Sequence, residues 1–163
     1  MSNSLWRSWL KPRSLLAFAA ALLLAAAWGS LVQTQYNLAA LQGLELPIDG
    51  ATRWRTSLQD LLGFGPVYAA IVLAAWLPAF AAAFWLARRS GPYRACLLPL
   101  ATSVSLIVAI RLIDAFAPIP VLIYATRTLD GLLAMAVGGL LGGLLFIWLA
   151  RPRPTQAKVD ITP

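Results

Sequence analysis

The sequence predicts an all-α membrane protein: a four-helix transmembrane bundle with a short amphipathic interfacial helix in the first outer loop. Three observations carry that expectation. Hydrophobic residues make up 60% of the 163-residue chain and charged residues 12%, and the mean hydropathy is +0.75; soluble domains are roughly half apolar and about a quarter charged. The hydrophobicity is clumped into uncharged runs, Ser14 to Leu44, Leu61 to Ala87, Ala95 to Ile110 and Gly131 to Ala150, each near or above the roughly 17–25 residues a helix needs to cross the hydrocarbon core. The third reaches that length by continuing past Arg111. Finally, the basic residues gather at the ends of these runs, which is how membrane proteins fix their orientation.

A net charge of +7 and a pI near 10.5 would suit nucleic-acid binding if the cations lined one folded face. Here they flank apolar segments, so no nucleic-acid partner is expected and the lipid bilayer is. One cysteine, Cys96, and no histidine exclude an internal disulfide and a paired-thiol relay. Zinc and haem sites on the usual ligands are excluded as well, and no cofactor is implied.

Residues 1–13 are expected to be a cytoplasmic segment in which Arg7, Lys11 and Arg13 alternate with Trp6 and Trp9, a membrane-boundary mixture. The first span follows over about 14–32, with Trp28 near its far end. A basic start, an apolar run, and Ala25 and Ala27 at cleavage-site spacing also fit a secretory signal, which would leave three spans in the same orientation.

The polar stretch Gln33 to Gly65 opens on Gln33-Thr34-Gln35-Tyr36-Asn37 and turns at Pro47, Asp49 and Gly50. Trp54, Leu58, Leu61 and Leu62 then recur at i, i+4, i+7 and i+8, predicting the amphipathic interfacial helix with Thr52 as its N-cap. The second span is expected over 66–87, Pro66 occupying the first turn and Pro78 kinking the middle. Ser90-Gly91-Pro92 turns the chain into a third span over 95–115, where Thr102, Ser103 and Ser105 can bond to a carbonyl one turn back or to a neighbouring helix. Pro118-Ile119-Pro120 through Tyr124 reads as an interfacial or re-entrant connector. The fourth span, 129–150, carries Gly138, Gly139, Gly142 and Gly143 in two overlapping G-x-x-x-G pairs, with Ala134 one turn before. Such a strip admits close approach by another helix, either of its own bundle or of another subunit. A proline-containing tail, 151–163, is expected to be disordered.

Arg7, Lys11, Arg13, Arg88, Arg89, Arg94, Arg151, Arg153 and Lys158 fall on one side of the spans, and only Arg53, Arg55 and Arg127 on the other. By the positive-inside rule both termini are cytoplasmic.

Charged groups at membrane depth carry the first functional hypothesis. Arg111 with Asp114, and Arg127 with Asp130, are i, i+3 pairs near the outer boundary. The expectation is one polar cluster where the third and fourth spans emerge, facing Asp60 or the Gln33–Asn37 tuft. Catalysis is not expected. No nucleophile stands beside a base and an orienting group, no glycine-rich phosphate loop follows a strand, and no span carries a central acid.

The stretches Ser30–Leu38, Thr56–Phe64 and Thr126–Gly131 resemble those of small four-helix inner-membrane proteins of proteobacteria. The resemblance implies that location and four spans, and no activity or site residues. The sequence thus leads to a non-enzymatic structural or accessory subunit packing through its fourth span. The alternative is a small transporter or a lipid- or solute-binding protein with its site at the outer polar cluster.

Overall fold

The structure, a computed structural model, describes residues 12–87, 94–116 and 123–151. All but the last two residues of the expected N-terminal segment, the Ser90–Pro92 turn, the Pro118–Pro120 connector and all but the first residue of the tail lie outside them.

Among the described residues four helices form: α1 (Pro12–Gln42), α2 (Gly50–Ala87), α3 (Arg94–Phe116) and α4 (Leu129–Ala150), with a 3₁₀ turn, Tyr124–Arg127, before α4. Each is long and apolar enough to cross a membrane, and the protein is accordingly a multi-pass membrane protein in architecture. Leu and Ala favour helix, and in lipid a helix satisfies every backbone group internally. Each helix packs on its sequence neighbours, and α1 closes the ring on α4.

The seams follow from small residues. On α1, Ala17, Ala21, Ala25 and Gly29 recur every fourth position and are all buried. Across from them Gly138 and Gly142 lie so near that a Cβ at Gly138 would stand 3.3 Å from the Ala25 carbonyl, and one at Gly142 2.9 Å from the Ala21 carbonyl. The other pair serves α3: a Cβ on Gly139 would come within 2.6 Å of the Thr102 carbonyl, and one on Gly143 within 2.7 Å of Pro99 Cα. Both glycine faces of the fourth span are therefore filled by the chain's own α1 and α3.

Trp76 of α2 pins the centre. Fully buried, it lies against Gly142 of α4, meets Phe18 of α1 edge-on at 6.1 Å, and donates its Nε1–H to the Thr102 carbonyl of α3 at 3.3 Å. Phe80, one turn on, meets Phe18 at 5.2 Å and Phe146 at 5.1 Å, both edge-on, the geometry the ring quadrupole favours. Polar groups link the same helices. Thr102 Oγ1 lies 2.8 Å from the Gly139 carbonyl, Ser103 donates to the Ala136 carbonyl at 2.9 Å, and Trp28 Nε1 donates to the Ala134 carbonyl at 2.7 Å. At the opposite end from the α1–α2 turn, Arg13 Nε donates to the Leu149 carbonyl at 3.1 Å.

Two expectations change. The amphipathic stretch from Thr52 is not a separate helix but the first part of α2, which runs unbroken through Pro66 and Pro78 for 38 residues. Its cap is Asp49 rather than Thr52: Asp49 Oδ1 accepts the Thr52 amide at 2.8 Å, and the Asp49 carbonyl accepts the Arg53 amide at 3.0 Å. Likewise α1 continues beyond Val32 to Gln42, 31 residues in all. At 1.5 Å per residue α1 and α2 are about 46 Å and about 57 Å long, whereas α3 and α4, with 23 and 22 residues, measure about 35 Å and about 33 Å. The excess lies at the α1–α2 turn, since Tyr36 already reaches Asp130 in the first turn of α4.

That turn is a Schellman-type stop. Leu46 N–H reaches back to the Leu41 carbonyl and Glu45 N–H to that of Gln42, with Glu45 in the left-handed region at φ 62°, a place usually taken by glycine.

Candidate functional site

The outer end is organised by the amide and hydroxyl tuft of α1. Gln33, buried, accepts the Ala125 amide on Oε1 at 2.9 Å and so fixes the 3₁₀ turn to α1. Thr34 places its hydroxyl 2.8 Å from Asp60 Oδ2 and 2.9 Å from the Ser30 carbonyl, sharing one proton between α2 and its own helix. Gln35 donates to Ser57 Oγ at 3.2 Å and accepts from Arg53 Nη1 at 2.5 Å. Arg53 Nη2 also donates to Gln42 Oε1 at 3.1 Å. The Arg53 guanidinium thus spans two turns of α1 from one position on α2.

The acids are drawn into this network one by one. Tyr36 donates its O–H to Asp130 Oδ2 at 2.6 Å. Thr126 Oγ1 lies 3.4 Å from Asp114 Oδ2 and 2.8 Å from the Ile123 carbonyl, the nearer acceptor of its single proton. Asp114 Oδ1, Ser30 Oγ and Tyr68 Oη are buried without a hydrogen-bond partner among the described residues. Asp60, Asp114 and Asp130 each face a hydroxyl from another element, which suits carboxylates at the edge of a low-dielectric region.

The arginines do not join them. Arg111 is exposed on α3. Arg127, also exposed, lies over the Tyr124 ring at 4.9 Å from its centroid, while Asp130, three residues on, is held by Tyr36. Arg111 and Asp114 share α3, whereas the extended Thr128 breaks the chain between Arg127 and Asp130, so the second pair does not lie on one helix; Asp130 is held by Tyr36 and Asp114 lies nearest Thr126. The five charged residues therefore sit around the outer end without condensing into one cluster.

Arg53, Gln35, Gln42 and Ser57 carry the α1–α2 link together with Thr34 and Asp60, and of these the sequence reading missed Arg53, Gln42 and Ser57 and did not foresee the partners of Gln35. Their only signal was polarity at i, i+4 (Arg53 and Ser57) and i, i+7 (Gln35 and Gln42), a pattern equally expected of a solvated face.

Beside the network, an open groove of about 640 Å³ runs between the end of α1 and the 3₁₀ turn, lined by Asn37, Ala40, Leu41, Gly43, Leu44 and Tyr124. Electrostatically the capping carboxyl is the clearest feature outside the spans: hydrogen bonds from the Thr52 hydroxyl and amide hold Asp49 below the ordinary carboxylate range. Chemically the arrangement binds and links: the hydroxyls of Thr34 and Tyr36, the amides of Gln33 and Gln35 and the carboxylates of Asp60 and Asp130 are partnered across elements, and Arg127 is exposed beside a groove.

No family model, no curated protein and no solved structure matches this chain, and the resemblance to small four-helix inner-membrane proteins gains no support from those comparisons.

Proposed function

We propose that the chain is a multi-pass protein of the bacterial inner membrane, both termini cytoplasmic, that acts as a non-enzymatic structural or accessory subunit. Its partner meets it through the outer arm of α1 and α2 rather than through the fourth span, whose glycines are already covered. One observation carries this reading. Trp54, Leu58 and Leu62, 67%, 46% and 79% exposed, follow one another every fourth residue on α2. A core of about 30 Å counted from Arg13 ends near Gln33 on α1, and since Thr34 meets Asp60 it ends near Asp60 on α2, so Leu58 and Leu62 flank the hydrocarbon edge and Trp54 stands about 9 Å beyond it. A line of large exposed apolar side chains that continues past the hydrocarbon edge marks a contact surface. We read Thr52–Leu62 as this standing arm rather than as a helix lying in the interface plane.

The orientation is supported by the Lys and Arg asymmetry. The non-enzymatic reading is supported by Asp60 and Asp130, each engaged by a hydroxyl of α1 as a structural link. The alternative, a small transporter or a lipid- or solute-binding protein, draws its support from the groove beside Tyr124; against axial transport stands Trp76, which fills the bundle centre.

Affinity purification of the full chain in mild detergent tests the subunit reading. A stoichiometric partner is expected to co-purify, to be lost with Trp54→Glu and Leu58→Glu together, and to persist with the control Leu144→Ala on α4. Recovery of a partner-free species from native membranes, or a partner indifferent to the double variant, overturns it. Reporter fusions at the tail and within residues 43–49 test the orientation; an external tail refutes it.

A further inference from the structure

The groove beside Tyr124 combines three properties that no other surface of the described residues brings together. Its α1 wall is apolar, Ala40, Leu41 and Leu44, with the Asn37 amide at the lower end. Its opposite wall is the Tyr124 ring, carrying the Arg127 guanidinium. That guanidinium has no carboxylate partner among the described residues: the extended Thr128 separates it from the helix that carries Asp130, and Asp130 accepts from the Tyr36 hydroxyl. The third property is depth. From Arg13 a hydrocarbon core of about 30 Å ends near Gln33, and Asn37 lies about 6 Å further out, at headgroup level.

We propose that this groove holds the headgroup of an anionic phospholipid of the outer leaflet, its phosphate against Arg127. A phosphodiester offers the guanidinium the charge-assisted hydrogen bonds that Asp130 does not supply. The Tyr124 face keeps the cation in place while its N–H groups remain free to donate. Asn37 can donate to a headgroup or ester oxygen, and Ala40 and Leu41 cover the glycerol carbons. A zwitterionic headgroup loses in this setting, because its ammonium finds no carboxylate partner among the groove-lining residues. The inference rests on the membrane reading of the bundle and not on any protein partner, so a failed co-purification leaves it standing.

The test uses the full chain in nanodiscs of equal parts phosphatidylglycerol and phosphatidylcholine, then mild-detergent extraction and mass spectrometry of the lipid that stays bound. Wild type is expected to retain phosphatidylglycerol several-fold over phosphatidylcholine. Arg127→Gln should abolish that preference, Tyr124→Leu, which keeps the charge but removes its platform, should weaken it, and Arg55→Gln, an exposed cation that does not line the groove, should leave it intact. Thermal unfolding of each variant in the same detergent identifies any that fail to fold, and Tyr124→Leu then stands in for Arg127→Gln. No preference in wild type, a preference that survives both groove variants, or one lost equally with Arg55→Gln overturns the proposal. Equal retention of oleate overturns it too, because an anionic chain without a phosphate headgroup would then suffice.

Discussion

In the middle of the bundle α4 lies against α1 and α3 at separations that only glycine permits, whereas at the outer end α1 and α2 are linked by long side chains, Arg53 to Gln35 and Gln42, Thr34 to Asp60. The contrast follows from the solvent. Inside lipid there is no hydrophobic drive between helices, so association depends on close van der Waals contact and on hydrogen bonds such as Thr102 to Gly139. Beyond the hydrocarbon, hydrogen bonds compete with water and each is worth less, but reaching side chains tolerate a shift of backbone. The middle should therefore be brittle and the outer arm forgiving.

Gly139→Ala tests the brittle half most severely. Its new Cβ would meet the Thr102 carbonyl and Ser103 Cα, both backbone, so destabilisation of about 1–3 kcal/mol is expected, read as a lower detergent unfolding temperature and less accumulated protein. Gly63→Ala, with nothing within 4 Å of the added methyl, should be neutral or gain up to about 1 kcal/mol from helix propensity; equal losses for the two would erase the contrast. On the forgiving half, Arg53→Met removes both guanidinium links. A loss of about 1 kcal/mol is expected, seen as faster amide exchange over residues 36–56 with the spans unaffected; a global loss would join the two halves into one cooperative unit. The smallest effect belongs to Asp49. Hydrogen bonds from the Thr52 hydroxyl and amide lower its pKa, so its contribution to the start of α2 is complete above the ordinary carboxylate range, around pH 4, and fades as pH falls through the lowered folded value. Asp49→Asn should flatten that dependence, measured as Thr52 amide protection between pH 7 and 3 relative to wild type. An unchanged profile removes Asp49 as its source.

The four spans were legible because hydrophobicity and charge flanks are local properties. The length of α1 and α2 was not. Read alone, Gln33 to Asn37 look like loop residues and Arg53 to Asp60 like part of a short interfacial helix, and they become surfaces of two long helices only because they face each other across an antiparallel pair. Pro66 misled for a related reason: proline suits a first turn, yet here the helix begins sixteen residues earlier, where Asp49 supplies the cap. The glycine strip announced close approach but not by what, since four glycines on two faces of a helix specify a distance and leave the neighbour open. At the candidate site the i, i+3 spacing suggested two Arg–Asp pairs, but the extended Thr128 interrupts the second. Nor could it show that Tyr36, almost a hundred positions away, would donate to Asp130.

The seam between α1 and α4 joins two helices far apart along the chain, and this orders their assembly. While the chain is being inserted, the face of Ala17, Ala21 and Ala25 has no helix to receive it, and the Trp28 indole N–H has no Ala134 carbonyl to bond. Three spans in the membrane make an open arc. Only when α4 enters do these groups find their mates, so this seam closes after synthesis has passed α4.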